Sequence, residues 1–134
     1  MLTPYEKTIQ EFNRLFDNHP THYFEAGGRL ELIGNHTDHN RGKCLVAGCD
    51  LGLFATVRKS DDNIIHIIAS GFEEIYLDLD SLNGRQEEYF TSKGIVRGVA
   101  AKFVLEKMKV GGFDAYIEST IFVGAGVSSS AAFE

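Results

Sequence analysis

The sequence predicts an α+β or α/β domain built on a mixed, mostly antiparallel sheet. Three observations carry that prediction. Hydrophobic periodicity alternates between helical and strand spacing in the order α-β-β-β-β-α-β-(α). The 134 residues are 43% hydrophobic, enough for one domain with one core. No internal repeat, low-complexity tract or linker divides the chain.

The first helix starts at Thr3-Pro4-Tyr5-Glu6. Thr3 can cap, Pro4 suits the first helical position, and Glu6 stands where a capping box needs its carboxylate. Ile9, Phe12, Leu15 and Phe16 follow at helical spacing, and the helix should stop between Asp17 and Pro20. Tyr23 to Ala26 reads as extended and leads to a break at Gly27-Gly28. A short strand, Leu30 to Ile33, comes next. Cys44 to Lys59 contains Leu51, Leu53, Ala55 and Val57 in alternation, a strand signal. Ser60 to Asn63 is a turn, Ile64 to Ser70 a β-branched strand, and Glu74 to Leu79 alternates again. Leu82 to Ser92 is polar and reads as a loop with a short helical turn. Gly94 to Lys109 is the second helix, with Ile95, Val99, Phe103 and Met108 on one face. Gly111-Gly112 should end it. Phe113 to Ser119 alternates as a last strand, and Gly124 to Glu134 passes from a turn into a helix start. So short a helix is not stable alone, so the chain reads as a fragment, or its last turn docks on something else.

Composition excludes several partners. The formal net charge is −6, which disfavours nucleic acid. No apolar run is long enough to span a membrane. The stretch MLTPYEKTIQEF lacks the blocks of a signal peptide, so a cytoplasmic protein is expected. Cys44 and Cys49 lie five apart, about 16 Å if extended, and an odd spacing puts them on opposite faces. Buried, reduced thiols are therefore expected. The carboxylate pairs Glu73-Glu74 and Glu87-Glu88 read as solvated.

Two stretches carry chemistry. Asn35-His36-Thr37-Asp38-His39-Asn40 is a polar segment held between two strands, the place where a rigid scaffold displays binding groups. Amide, imidazole, hydroxyl and carboxylate together suit a ligand rich in hydroxyls, since each hydroxyl both donates and accepts. The same residues also suit a polar surface turn with an Asx motif. Arg29 stands just ahead, beside two glycines that let backbone approach a ligand. His36 and His39 have short metal-ligand spacing but lack a third and fourth ligand nearby. The second stretch is Gly124-Ala125-Gly126-Val127-Ser128-Ser129-Ser130. Flexible backbone ahead of a helix start leaves N–H groups for an anion, and phosphate is the usual one. It is neither a Walker A loop, having no lysine, nor GxGxxG. Gly-Ser turns that merely cap helices look the same.

Taken together, the two stretches resemble one family. Gly28-Arg29-Leu30-Glu31-Leu32-Ile33-Gly34-Asn35-His36-Thr37-Asp38-His39-Asn40 is similar to the galactokinase signature, Gly-Arg-Val-Asn-Leu-Ile-Gly-Glu-His-Thr-Asp-Tyr-Asn. The serine-rich stretch resembles Gly-x-Gly-Leu-Ser-Ser-Ser-Ala, the phosphate motif of the wider group of galactokinases and homoserine, mevalonate and phosphomevalonate kinases. Gly27, Asn35, His39, Arg41 and Phe122 depart from the family pattern. The resemblance implies an α+β fold like domain two of ribosomal protein S5, with a left-handed βαβ arrangement and helices on one side of a mixed, mostly antiparallel sheet. It implies ATP-dependent phosphorylation of the anomeric hydroxyl of galactose, or of a close relative, to the 1-phosphate. Arg29 matches the arginine beside the reacting hydroxyl. Asn35, His36, Thr37 and Asp38 fall on sugar-holding positions. Gly124, Ala125, Gly126, Val127, Ser128, Ser129 and Ser130 would cradle the ATP phosphates, and Ser130 matches the Mg2+ ligand. Residues 1–134 would then form a truncated N-terminal sugar- and phosphate-binding domain. The catalytic aspartate, the acidic Mg2+ ligand and the C-terminal domain would lie beyond Glu134. On that reading the chain is inactive alone and exposes apolar surface around Ile121 to Phe133 that favours self-association. A non-catalytic sugar or nucleotide sensor is the alternative.

Overall fold

The structure, a computed structural model, describes residues 2–34, 41–122 and 126–134. Its elements run α1 (Pro4–Phe16), β1 (His22–Ile33), β2 (Leu45–Lys59), β3 (Ile64–Ala69), β4 (Ile75–Asp78), α2 (Ser92–Leu105), β5 (Phe113–Ser119) and α3 (Ser129–Phe133). A 3-10 turn, Gln86–Glu88, precedes α2. The strands form one five-stranded sheet in the order β1-β2-β5-β3-β4. Among the described residues only the β3–β5 pair is parallel. The mixed, mostly antiparallel α+β sheet expected from sequence is the one observed.

The capping box at α1 forms as read. Thr3 Oγ1 accepts from the Glu6 N–H at 3.2 Å, and the Glu6 carboxylate accepts from the Thr3 N–H at 2.7 Å. The helix stops at Asp17, which takes a left-handed φ of 47°. Its inner face buries Thr8 and Phe12. Thr56 Oγ1 donates to the Thr8 carbonyl at 3.2 Å, Lys7 Nζ pairs with Glu118 at 2.5 Å, and Phe16 meets the His66 ring edge-on at 5.0 Å. Thr56, Glu118 and His66 share one face of the sheet, because side chains alternate along a strand.

The opposite face holds the main core. Ile65, Ile67, Ile75, Leu77 and Ala115 pack there with Ala100 of α2, and Val96 and Phe133 close over them. The helices therefore lie on both faces: α1 on one, α2 and α3 on the other. This corrects the expectation of helices on one side. The reason lies in β2, β3 and β5, where both alternating sets are apolar or internally paired, so both faces need cover.

Gly27-Gly28 is a further correction. It does not break the chain into two extended pieces; β1 is continuous, and the ladder changes register there. Gly27 faces Gly52 and Arg29 faces Gly48, so β2 carries the additional residues around Cys49 to Leu51 as a bulge. Because β5 pairs with β2 only over Leu53 to Lys59, and Thr120 reaches only as far as Gly52, the Leu45–Gly48 part of β2 has β1 as its sole partner strand among the described residues. That is why Cys44 is exposed and Cys49 only half-buried, both free, rather than buried as expected.

The second helix is shorter than its periodicity suggested. It ends at Leu105, and Gly111-Gly112 plays no part in its cap. The Met108 N–H bonds to the Phe103 carbonyl at 3.0 Å and the Lys107 N–H to the Val104 carbonyl at 2.9 Å, with Lys107 at φ 60°. Those two bonds make a Schellman motif with lysine in the left-handed position. Among the described residues no helix is long and apolar enough to cross a membrane.

Candidate functional site

The two sequence stretches meet at Gly28 and Arg29. The Arg29 N–H donates to the Val127 carbonyl at 3.0 Å, tying β1, opposite the bulge in β2, to the serine-rich turn. Gly28 is buried beneath that contact. A Cβ at Gly28 would sit 2.9 Å from Cys49 Sγ, 3.0 Å from the Val127 oxygen and 3.2 Å from the Leu51 oxygen. Only glycine lets three backbone segments come this close. The Arg29 side chain itself is exposed, and no described residue pairs with its guanidinium.

The serine-rich turn has unusual backbone. Gly126 lies at φ 69° and Ser128 at φ 59°, both left-handed, around a buried Val127. Backbone that passes in and out of the left-handed region gathers N–H groups into a concavity suited to an anion. Ser128 is the N-cap of α3 but makes no side-chain cap bond, and Ser129 and Ser130 are exposed. Their hydroxyls therefore face outward as donors. Ser130 offers one oxygen to a cation; among the described residues no group of three or more His, Cys, Asp or Glu could hold a metal. A Mg2+ ion held chiefly by nucleotide phosphates fits a single hydroxyl of this kind. Asn35, His36, Thr37, Asp38 and His39, with Gly124 and Ala125, lie outside the described residues.

Beside Ser129 and Ser130 opens a cleft that sequence reasoning missed. Phe72, Phe90 and Phe122 line it, with Glu73 at its rim. All three rings are largely exposed. They come from three separate connections, so no spacing rule could have grouped them. Behind Phe90 lies a second feature the sequence hid. Glu88, expected to be solvated, is buried, and Arg97 of α2 grips it with Nε at 2.5 Å and Nη2 at 2.7 Å. The remaining Arg97 nitrogen, Nη1, donates to the Ser81 carbonyl. The Arg97 hydrogen bonds hold the Glu88 carboxyl below the usual carboxylate range, against the opposing effect of burial. Glu74 is also paired, to His66 at 2.5 Å, although it stays half-exposed.

Known proteins resemble this chain. Residues 10–59 match the family described as the galactokinase galactose-binding signature. The chain is 34% identical over 124 residues to a galactokinase of Chloroflexus aggregans, covering 92% of this chain and 31% of that protein. It is 33% identical over 131 residues to a galactokinase of Streptococcus thermophilus, covering 93% of this chain and 33% of that one. It thus spans about a third of the length of the curated relatives it matches. The crystal structure of Lactococcus lactis galactokinase complexed with galactose superposes with a TM-score of 0.81 at 27% identity, over 94% of this chain and 33% of that one. Methanococcus jannaschii mevalonate kinase shares the fold, with a TM-score of 0.66 at 16% identity, over 84% of this chain and 36% of that one. With the signature entering on β1, and with relatives aligned along nearly all of its length, the chain is similar to about a third of each of these galactokinases.

Proposed function

We propose that this chain is the sugar- and phosphate-binding part of an ATP-dependent galactose kinase that forms galactose 1-phosphate. One observation carries the reading: the Arg29 N–H bonded to the Val127 carbonyl, which brings the sugar signature against the serine-rich turn. A phosphoryl transfer needs its acceptor hydroxyl and its γ-phosphate side by side. In the proposed reaction the anomeric oxygen bonds to the γ-phosphorus as the bond to ADP breaks, and the hydroxyl proton passes to a base. The Arg29 guanidinium, planar and always charged, would stabilise charge developing on the transferring phosphoryl group. Asn35, His36, Thr37 and Asp38 would hold sugar hydroxyls. Gly124 to Ser130 would bind the phosphates through backbone N–H groups and serine hydroxyls. Mg2+, held by the phosphates and Ser130, would neutralise charge between the β- and γ-phosphates.

No residue among those described here is assigned as the base. We propose that it belongs to a C-terminal domain of the kind the longer relatives leave room for, and that the chain alone binds without turnover. Apolar side chains such as Phe24, Val99 and Phe103 line a trough between β1, β2 and α2. Exposed surface of that kind favours self-association, which light scattering would detect; in the expected stretch Phe122 is exposed, but Ile121 and Val127 are buried. The function is tested by titrating the chain with galactose in a calorimeter and assaying ADP release with galactose and MgATP. Binding without turnover is expected. Turnover would put the base inside these residues, and a folded chain that ignores galactose would end the sugar reading.

A further inference from the structure

The two edges of the sheet differ. At one end of the strand order β4 is four residues long and is bracketed by Glu73, Glu74, Asp78 and Asp80. Short length and charge are the usual protection of an edge. At the other end lies β1, twelve residues long, with β2 as its sole partner strand among the described residues. Its first half reads His22-Tyr23-Phe24-Glu25-Ala26-Gly27, with neither proline nor lysine. Tyr23 and Phe24 are half-exposed, and the one carboxylate there, Glu25, accepts from the Tyr5 hydroxyl at 3.3 Å.

The pairing fixes which backbone groups of β1 face outward. Both backbone groups of Gly52 go to Thr120: its carbonyl accepts from the Thr120 N–H at 3.0 Å, and its N–H donates to Thr120 Oγ1 at 2.9 Å. Bonding direction alternates along an antiparallel strand, so Gly52, Phe54 and Thr56 turn toward β5, and Leu53, Ala55 and Val57 turn toward β1. Their partners Ala26, Phe24 and His22 are therefore bonded to β2. Tyr23, Glu25 and Gly27 turn their N–H and C=O groups off the sheet. Arg29, next in that series, points its N–H the same way and gives it to the Val127 carbonyl. The open stretch is thus bounded, by that bond at one end and by Pro20, which has no N–H, at the other. Phe24 lies near its middle.

We propose that this edge is an interface for a second copy of the chain, with the two β1 strands paired antiparallel about a twofold axis at Phe24. An isologous contact needs a surface complementary to itself, and this one is. The register sets Tyr23 opposite Glu25 of the partner subunit, where their outward backbone groups bond and a phenol hydroxyl meets a carboxylate. It sets Phe24 opposite the partner's Phe24, ring against ring. Charge selects this register. An axis at Glu25 would put Glu25 against the partner's Glu25, like charges directly opposite. An axis at Ala26 would call on the Arg29 N–H that Val127 already holds. The sheet then runs unbroken through both copies. The interface is separate from the trough described above, which is a face of the sheet and not its edge.

The test reads oligomeric state and register together. Light scattering on the full chain over a concentration series should show a monomer–dimer equilibrium. Phe24→Lys, which sets like charges across the axis, should weaken the dimer about tenfold or more. Phe103→Lys, in the trough and away from the edge, should leave it unchanged. Phe24→Cys under mild oxidation should give a covalent dimer whose disulfide maps by peptide mass to residue 24 in both copies, because facing residues of a non-hydrogen-bonded pair lie within disulfide reach. Ala26→Cys should not cross-link, since its two copies are staggered along the strands. A thermal melt of each variant checks that it is folded, and the disulfide map decides alone if Phe24→Lys is not. A wild type that stays monomeric at its highest soluble concentration overturns the proposal. So does a dimer that survives Phe24→Lys or is lost with Phe103→Lys, because the interface then lies elsewhere. Cross-links at residue 26 and not at residue 24 refute the axis at Phe24.

Discussion

Arg97 and Glu88 form a bidentate ion pair with both residues almost wholly removed from water, at 4% and 7% exposure. Breaking a buried pair by deleting one partner strands an uncompensated charge. Arg97→Leu should therefore cost about 3–5 kcal/mol. Replacing both partners by leucine should recover much of that loss, because no charge is then left buried. Urea melts of the two single variants and the double variant would show the recovery as a large coupling energy. Additive losses would mean that the carboxylate is not stranded when Arg97 goes.

The same pair sets an acid sensitivity. Arg97 holds the Glu88 carboxyl below its ordinary value, through hydrogen bonding first. A depressed carboxylate adds stability that is fully present above its unfolded pKa and is lost as pH falls through the folded one. Asp114 has the opposite sign. Burial raises its pKa despite the nearby His66, so its ionisation weakens the fold as pH rises from the unfolded value through the raised one. Glu88→Gln should flatten the acid limb of a stability–pH curve, and Asp114→Asn should remove the opposing slope. Chemical denaturation at a series of pH values measures both. A Glu88→Gln curve as steep as the wild type would show that other carboxylates control acid unfolding.

Lys107 occupies the left-handed position of the Schellman motif that ends α2. An L-residue there loses about 1–2 kcal/mol relative to glycine, partly offset by glycine's greater freedom when unfolded. Lys107→Gly should thus stabilise the chain by about 0.5–1 kcal/mol, visible as a higher denaturation midpoint with an unchanged m-value. A lower midpoint would mean that the lysine side chain makes a stabilising contact worth more than the strain.

Much of this architecture was legible because it follows from local chemistry. Thr3 and Glu6 announce the α1 cap, and the alternation of Leu53, Ala55 and Val57 announces β2. The arginine-led signature and the serine run mark the two halves of the proposed site. What stayed hidden depends on contacts distant in sequence. Gly27-Gly28 reads locally as a break, and only the bulge in β2 opposite it turns the pair into continuous strand. Gly111-Gly112 looks like a helix stop, yet Lys107 ends α2 earlier at a residue no propensity scale favours. Glu88 looks solvated beside Glu87 until α2 brings Arg97 against it. The helices' division between both faces could not be read from periodicity, which shows that a face is apolar but not which helix covers it.

Gly28 provides the most direct check on how the two halves of the site are joined. Its missing side chain leaves a slot bounded by Cys49 Sγ and by the carbonyl oxygens of Val127 and Leu51. Two of those walls are backbone and cannot rotate away. Gly28→Ala must therefore push Val127 from β1 and lengthen the Arg29–Val127 hydrogen bond, at a cost of about 1–3 kcal/mol for overpacking a tight site. Gly48 pairs with Arg29 on the neighbouring strand, and a Cβ there would meet nothing within 4 Å. Gly48→Ala should consequently be neutral or slightly stabilising. If the contact also shapes the anion-binding turn, Gly28→Ala should weaken magnesium tripolyphosphate binding and Gly48→Ala should not. Denaturant melts and calorimetry on the two variants decide the matter. Equal stability in both would mean that strand and turn are not rigidly joined. A destabilised Gly28→Ala with intact phosphate binding would mean that the junction supports the fold but does not shape the turn.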